Sequence, residues 1–197
     1  MNADMPCVDP ASLLRGWIAD AAAAGINEPS AMCLATVGPG SRPSARFVLL
    51  RGLDERGLRF YTSYFSRKGR EIGENPAVAA LFAWPPLERQ ARVEGSARAL
   101  SEAESDAYFS ARPRGHQLAA WASEQSEPLD SRITLEERFA HFDARFEGQP
   151  VPRPHSWGGY LIVPERFEFW QARPNRLHDR LEYVREDGVW RAGRLQP

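Results

Sequence analysis

The sequence predicts an α+β domain built on an antiparallel sheet. Two observations carry this. Strand-like segments follow one another through short turn signals, and helices are inserted between them with no βαβα rhythm. The number of strands further predicts a barrel that closes on itself to hide its edges. The 197 residues suit one domain, residues 1–197, with residues 1–9 as a flexible tail.

Residues 9–26, "DPASLLRGWIADAAAAGI", place Leu13, Leu14, Trp17, Ile18, Ala21 and Ala22 at helical spacing, with Asp9 or Ser12 as cap and Gly25 as stop. "AMCLATV" (31–37) is a short apolar strand and "GPGSRP" is turn chemistry. "ARFVLLRGL" and "LRFYTSY" read as two strands around a hairpin loop, "DERG". "RKGREIGENP" is a short helix stopped by Pro76, and "AVAALFAW" is a strand. "RQARVEGSARAL" is a longer strand, and Ser101 followed by Glu104 is a capping box that opens a helix. "GHQLAAWASEQS" and "SRITLEERFAHFDARF" read as two more helices. "EGQPVPRPHSWGG" is a connection, and three strands, "YLIVPERFEFWQ", "LHDRLEYVRE" and "GVWRAGRLQP", finish the chain.

A net charge of −1 offers no bulk field for nucleic acid or an anionic membrane. The apolar runs are too short to span a bilayer, and the N-terminus lacks the basic and apolar run of a signal peptide. Cys7 and Cys33 form no CxxC and have no neighbouring histidines. They read as a tail residue and a small core residue in a reduced cytoplasmic compartment. No GxGxxG, Walker loop, HExxH, zinc-spaced cluster or GxSxG elbow occurs, and the four histidines suggest no triad.

What remains is a supply of cations, amides and aromatics. Arg67 and Lys68 stand where a strand hands over to a helix, and a helix N-terminus with two cations suits a phosphate. A solvated basic turn is the plainer alternative. Were residues 176–180 a strand, Arg176, His178 and Arg180 would share a face and call for an anion, or for pairing with surface carboxylates. Tyr108 and Arg112 are a helical turn apart. Gln90, Gln125 and Ser126 add neutral hydrogen-bonding groups. With no protein nucleophile in view, this inventory fits a phosphorylated aromatic cofactor that carries the chemistry itself.

From about residue 10 onward the chain resembles the pyridoxamine/pyridoxine 5′-phosphate oxidases, an FMN-dependent family. The motifs are "AMCLATV", "RFVLLR", "FYTSYFSRKGREI", "NPAVAALFAW", "LERQARVEG", "YFSARPRGHQLAAWASEQS", "SWGGY", "EFWQARPNRLHDR" and "RLQP". The resemblance implies a split β-barrel, a homodimer and FMN in clefts at the subunit interface. By position, FMN would meet Arg46, Phe47, Val48, Leu49, Leu50, Arg51, Arg67 and Lys68, with Tyr61 and Thr62 along the flavin. Gln90, Gln125, Ser126, Trp170 and Arg180 would complete the site, some from the partner chain. Substrate phosphate would meet Arg51, Tyr108, Arg112 and His116, while Arg176 and His178 would hold the substrate ring as the catalytic pair. No metal is implied. The family commonly has lysine at position 51 and serine at position 116, and a longer N-terminal segment over the substrate. The activity implied is oxidation of pyridoxamine or pyridoxine 5′-phosphate to pyridoxal 5′-phosphate, with dioxygen reduced to hydrogen peroxide. A phenazine-type oxidase and a non-catalytic flavin or pyridoxal-phosphate binder are the alternatives.

Overall fold

The computed structural model describes residues 9–197; the tail expected over residues 1–9 lies, apart from Asp9, outside the described residues, as does Cys7. The helix α1 spans Pro10–Ala23, and Asp9 caps it by accepting from the Ser12 amide. Proline at the first helical position fits because its missing N–H would have no helical partner there. Then come β1 (Ala31–Gly38), β2 (Arg42–Leu49), β3 (Gly52–Asp54) and β4 (Gly57–Ser63), followed by α2 (Arg67–Glu74). The order continues with β5 (Ala77–Trp84), β6 (Arg89–Ala99), α3 (Glu102–Ser110), α4 (Arg114–Ala122) and α5 (Arg132–Arg145). The last strands are β7 (Trp157–Gln171), β8 (Asp179–Glu186) and β9 (Val189–Arg194). The Ser101–Glu104 capping box is formed, as its spacing predicts.

All ladders are antiparallel. The sheet runs β2-β1-β5-β6-β7-β4-β3, with β8 and β9 continuing from β7. The long strand β7 explains the branching. Its first half, residues 157–162, pairs with β4, and its second half, residues 166–171, pairs with β8. A register shift between Glu94 and Gly95 of β6, opposite Pro164, marks the changeover. Gly95 is required there, because a Cβ would lie 2.1 Å from the Val163 carbonyl oxygen.

Two expectations change. The segment "ARFVLLRGL" is not one strand. Leu50 donates its amide to Ser30 O beside β1, whereas Arg51 donates to Arg59 O on β4. The chain therefore changes partners at this corner. The barrel also does not close. Strands β2 and β3 are neighbours in sequence yet stand at opposite ends of the strand order, with no ladder between them among the described residues. The result is a split barrel.

The main core lies inside this curl, where Met32, Leu34, Phe60, Phe82, Trp84, Val93 and Phe167 meet Leu14 and Ala21 of α1. Trp17 of α1 packs edge-on to Phe169 and Trp84, at centroid distances of 5.2 and 6.2 Å. A second cluster, Phe109, Leu118, Phe146, Val151 and Trp157, fixes α3, α4 and α5 against the start of β7. Cys33 departs from its expected core position: it is half-buried at an odd-numbered position of β1, while Met32 and Leu34 on either side are fully buried.

Candidate active site

The strand β4 ends at Ser63, and three residues later Ser66 caps α2, its hydroxyl accepting from the Gly69 amide at 3.3 Å and donating to Ser63 O at 2.6 Å. The turn is tight enough that residue 69 must be glycine, because a Cβ there would sit 2.2 Å from Tyr64 O. This geometry directs Arg67 and Lys68 from the first turn of the helix.

The two cations have different surroundings. Lys68 is 7% exposed, and its Nζ donates to Thr62 Oγ1 and Gln125 Oε1, each at 3.1 Å. It forms no ion pair among the described residues. Burial, helped by the charge of Arg46, pushes its ammonium down to about 8. A buried cation with only neutral partners is costly unless an anion completes it. Lys68 faces a cavity of about 530 Å³ that is also lined by Phe47, Val48, Leu49, Arg51, Tyr61, Thr62, Tyr108, Arg112, His116, Gln125 and Trp157.

Arg67 and Arg46 instead converge on Glu71, with ion-pair distances of 2.8 and 3.1 Å. Thr36 and Ser44 donate their hydroxyls to the same carboxylate at 2.5 and 2.6 Å. Burial alone would raise Glu71, but hydrogen bonds from Ser44, Thr36, Arg67 and Arg46 outweigh it and hold the group at about 2.

The cavity has an aromatic wall. Tyr61 stacks on Tyr108 with ring centroids 3.6 Å apart, and Trp157 lies 5.7 Å from Tyr61. The Arg112 guanidinium sits 4.4 Å over the Trp157 ring. Its Nη1 is buried with no hydrogen-bond partner, which marks a second donor in want of an acceptor at this cavity. Burial and the nearby charge of Arg51 lower Arg112, while Tyr108 acts in the opposite direction.

The structure therefore brings eleven of the sequence-predicted residues to one cavity: Phe47, Val48, Leu49, Arg51, Tyr61, Thr62, Lys68, Tyr108, Arg112, His116 and Gln125. Gln90, Trp170 and Arg180 line a different one, about 240 Å³, with Leu81, Arg92, Glu168 and Pro197. Glu168, 6% exposed, holds Arg180 at 2.7 Å and Arg92 at 2.5 Å. Leu50 is in the core, and Ser126 stands exposed in the loop after α4 with φ 78°. Gln125 and Ser126 are thus beyond the helix end at Ala122, contrary to the helix read through "ASEQS". Arg112 likewise follows α3 instead of continuing it.

The condition on residues 176–180 is met only in part, since the strand starts at Asp179. Pro174–Arg176 is a 3-10 turn with Asn175 and Arg176 at φ 58° and 62°, and β8 begins at Asp179. Arg176 is exposed on that turn, while His178 packs 4.6 Å from the Trp170 ring and accepts from the Arg173 amide at Nδ1. Arg180 is the member that lies in the strand, so the three do not share a face as alternation requires.

Sequence reasoning missed Glu71 and gave no role to Trp157. The signal for Glu71 was present as an Arg67–Glu71 i,i+4 pair within a predicted helix. That Thr36 and Ser44 reach the same carboxylate depends on packing of α2 over β1 and β2.

Comparison with known proteins agrees with this architecture. The family model described as pyridoxamine 5′-phosphate oxidase matches residues 18–146, and that described as the pyridoxine 5′-phosphate oxidase C-terminal dimerisation region matches residues 157–197. A pyridoxine/pyridoxamine 5′-phosphate oxidase of Rubrobacter xylanophilus is 62% identical over 189 residues, covering 96% of this chain and 87% of that protein. One of Gluconobacter oxydans is 49% identical, covering 98% and 99%. The crystal structure of PhzG from Burkholderia lata 383, bound to tetrahydrophenazine-1-carboxylic acid, superposes with a TM-score of 0.92 at 36% identity, covering 98% and 95%. The two family models together span most of the chain, and the curated relatives match it almost end to end, so the chain belongs to the pyridoxamine 5′-phosphate oxidase family.

Proposed function

We propose that the protein is an FMN-dependent oxidase that converts pyridoxamine or pyridoxine 5′-phosphate to pyridoxal 5′-phosphate, working as a cytoplasmic homodimer. The observation that carries this reading is Lys68: a buried ammonium with only neutral partners, facing an aromatic-walled cavity. A flavin mononucleotide fits these residues. Its phosphate would supply the anion that Lys68 lacks. Arg67, beside Lys68 in the first turn of α2, and Arg46, whose charge already acts on Lys68, would add to the attraction, and Thr62 and Gln125 offer polar groups beside it. Bound there, the flavin would accept two electrons from the substrate and pass them to dioxygen, giving hydrogen peroxide.

The substrate's own atoms balance simply. Its C4′ carbon gives up a hydride, and the attached hydroxyl or amine gives up a proton. The alcohol then is the aldehyde, while the amine becomes an imine that takes water and releases ammonia. The protein's part is orientation and charge complementarity. Arg51, Arg112, Tyr108 and His116 line the same cavity and would hold the substrate phosphate, and the orphaned Arg112 Nη1 is a donor ready for it. Arg176 and His178 would hold the ring, with His178 able to move a proton at its imidazole.

Gln90, Trp170, Arg176, His178 and Arg180 belong to this reading only if a second subunit brings them over, because within one chain none of them lines Lys68's cavity, and Gln90, Trp170 and Arg180 line a separate one. That separation, with a matched dimerisation region over residues 157–197, favours a site assembled from two protomers. Curated relatives at 49–62% identity act on B6 phosphates by name, whereas the phenazine-pathway structure stands at 36%, so the B6 reading is preferred. Steady-state assays with pyridoxamine phosphate, pyridoxine phosphate and a dihydrophenazine test it. Peroxide release with the B6 phosphates is expected; turnover confined to the dihydrophenazine, or none with any of the three, would overturn it.

A further inference from the structure

We propose that Glu71 is a positioning residue for the cofactor's phosphate end: it holds the Arg46 and Arg67 guanidiniums in place before the phosphate arrives. The inference rests on the flavin reading above. Glu71 is 5% exposed and accepts from four side chains of three elements, Thr36 of β1, Ser44 and Arg46 of β2, and Arg67 of α2. Among the described residues it is therefore the one carboxylate that ties the helix bearing Lys68 to the strand bearing Arg46.

Two features of this arrangement point to preorganisation. Arg67 has a side chain 61% exposed, and such a side chain would ordinarily sample many rotamers; its bond to Glu71 removes that freedom before binding. Arg46 is held further by its own contacts to Leu34 O, at 3.1 Å, and to the Thr36 and Ser44 hydroxyls, both of which also serve Glu71. The charge balance agrees. Three cations, Arg46, Arg67 and Lys68, against one carboxylate leave two positive charges, which complements a dianionic phosphate without a surplus of repelling cations in the empty site. Because the carboxyl stays ionised down to about 2, the clamp is present throughout the working pH range.

Charge counting and positioning predict opposite results, which makes the proposal testable. Glu71→Gln keeps size and shape but removes the negative charge. If Glu71 acted only through its field, the variant would bind FMN more tightly. As a positioning residue its loss weakens the phosphate grip, raising the Kd for FMN roughly tenfold or more. The binding of riboflavin, which has no phosphate, should be unchanged. The measurement is flavin fluorescence titration of apo-dimer with FMN and with riboflavin, with Tm recorded on each variant. Tighter or unchanged FMN binding, or equal weakening of both ligands, overturns the proposal. Ser44→Ala keeps the test informative if Glu71→Gln fails to fold: it removes one of the clamp's neutral donors and should raise the FMN Kd about threefold, again with riboflavin untouched. Unchanged FMN binding in that variant overturns the proposal too. If the unaltered protein fails to prefer FMN over riboflavin, the flavin-phosphate reading itself falls, and that outcome is distinct from the failure of Glu71 alone.

Discussion

Lys68 Nζ and Gln125 Oε1 lie 3.1 Å apart, joining the first turn of α2 to a loop more than fifty residues further along the chain. Thr62 closes the triangle, donating to the same Gln125 oxygen at 2.8 Å. The contact ties three segments around one buried cation, and the functional reading turns on what completes that cation.

Removing it should release the flavin. Lys68→Met keeps the length of the side chain and drops the charge, so it should raise the FMN Kd by at least about tenfold while the fold persists. Arg67→Ala combined with Lys68→Ala should lose the yellow colour on purification. A double variant that remains fully yellow would show that the phosphate lies elsewhere.

The same group predicts a pH dependence. In the flavin-free protein Lys68 sits at about 8, and a bound phosphate dianion favours its charged form. The complex then binds more protons than the free protein above pH 8. FMN affinity should be greatest below that value and fall as pH rises through 8 toward the higher value of the complex. Titrations between pH 6.5 and 9.5, roughly half-unit steps, check this, and Lys68→Met should flatten the slope.

Acid should act through two carboxylates. Glu71 and Glu104 both titrate at about 2 in the fold, against an ordinary value of 4.5. Hydrogen bonds from Ser101 and Arg56 account for Glu104. Their folded values are depressed, so the stability they contribute is complete above 4.5 and declines as pH falls from there toward 2. A Tm profile over that range should drop less steeply in Glu71→Gln than in the parent.

The two-chain site can be tested by complementation. Lys68→Met and Arg180→Ala homodimers should each be impaired. If Lys68 of one protomer serves the same site as Arg180 of the other, mixing equal amounts with subunit exchange should restore about a quarter of the unmodified activity, since half the dimers are hybrid with one intact site each. No gain on mixing would place both residues in one chain's site.

Arg176→Ala should keep the flavin and lose turnover. The residue stands exposed on a turn with positive φ and does not line Lys68's cavity within its own chain, so its removal should leave that chain's phosphate contacts in place. Absorbance of the bound flavin and peroxide production, measured on the same sample, separate the two effects.

Local signals explain what could be read from the chain alone. The apolar strand run "AVAALFAW", the Ser101–Glu104 box and the Asp9 cap act over a few residues, and each forms as read. Arg67 and Lys68 at a strand-to-helix handover were legible for the same reason. The failures share a cause as well. Residues 176–180 alternate like a strand, but Asn175 and Arg176 adopt left-handed backbone and the ladder starts only at Asp179. "ARFVLLRGL" reads as one strand because periodicity cannot tell that Leu50 bonds toward β1 and Arg51 toward β4.

Sequence by itself determined the element types, the absence of a protein nucleophile motif, and a stock of cations and aromatics in an order that resembles one family. Beyond the Arg67–Glu71 spacing within one helix, tertiary structure decided which cations are paired. Arg46 and Arg67 meet Glu71, and Lys68 meets no carboxylate among the described residues, because packing of α2 across β1 and β2 brings one buried carboxylate within reach of two guanidiniums. Ion pairing between separate elements depends on distance and burial, and neither is encoded in the spacing of residues along a chain.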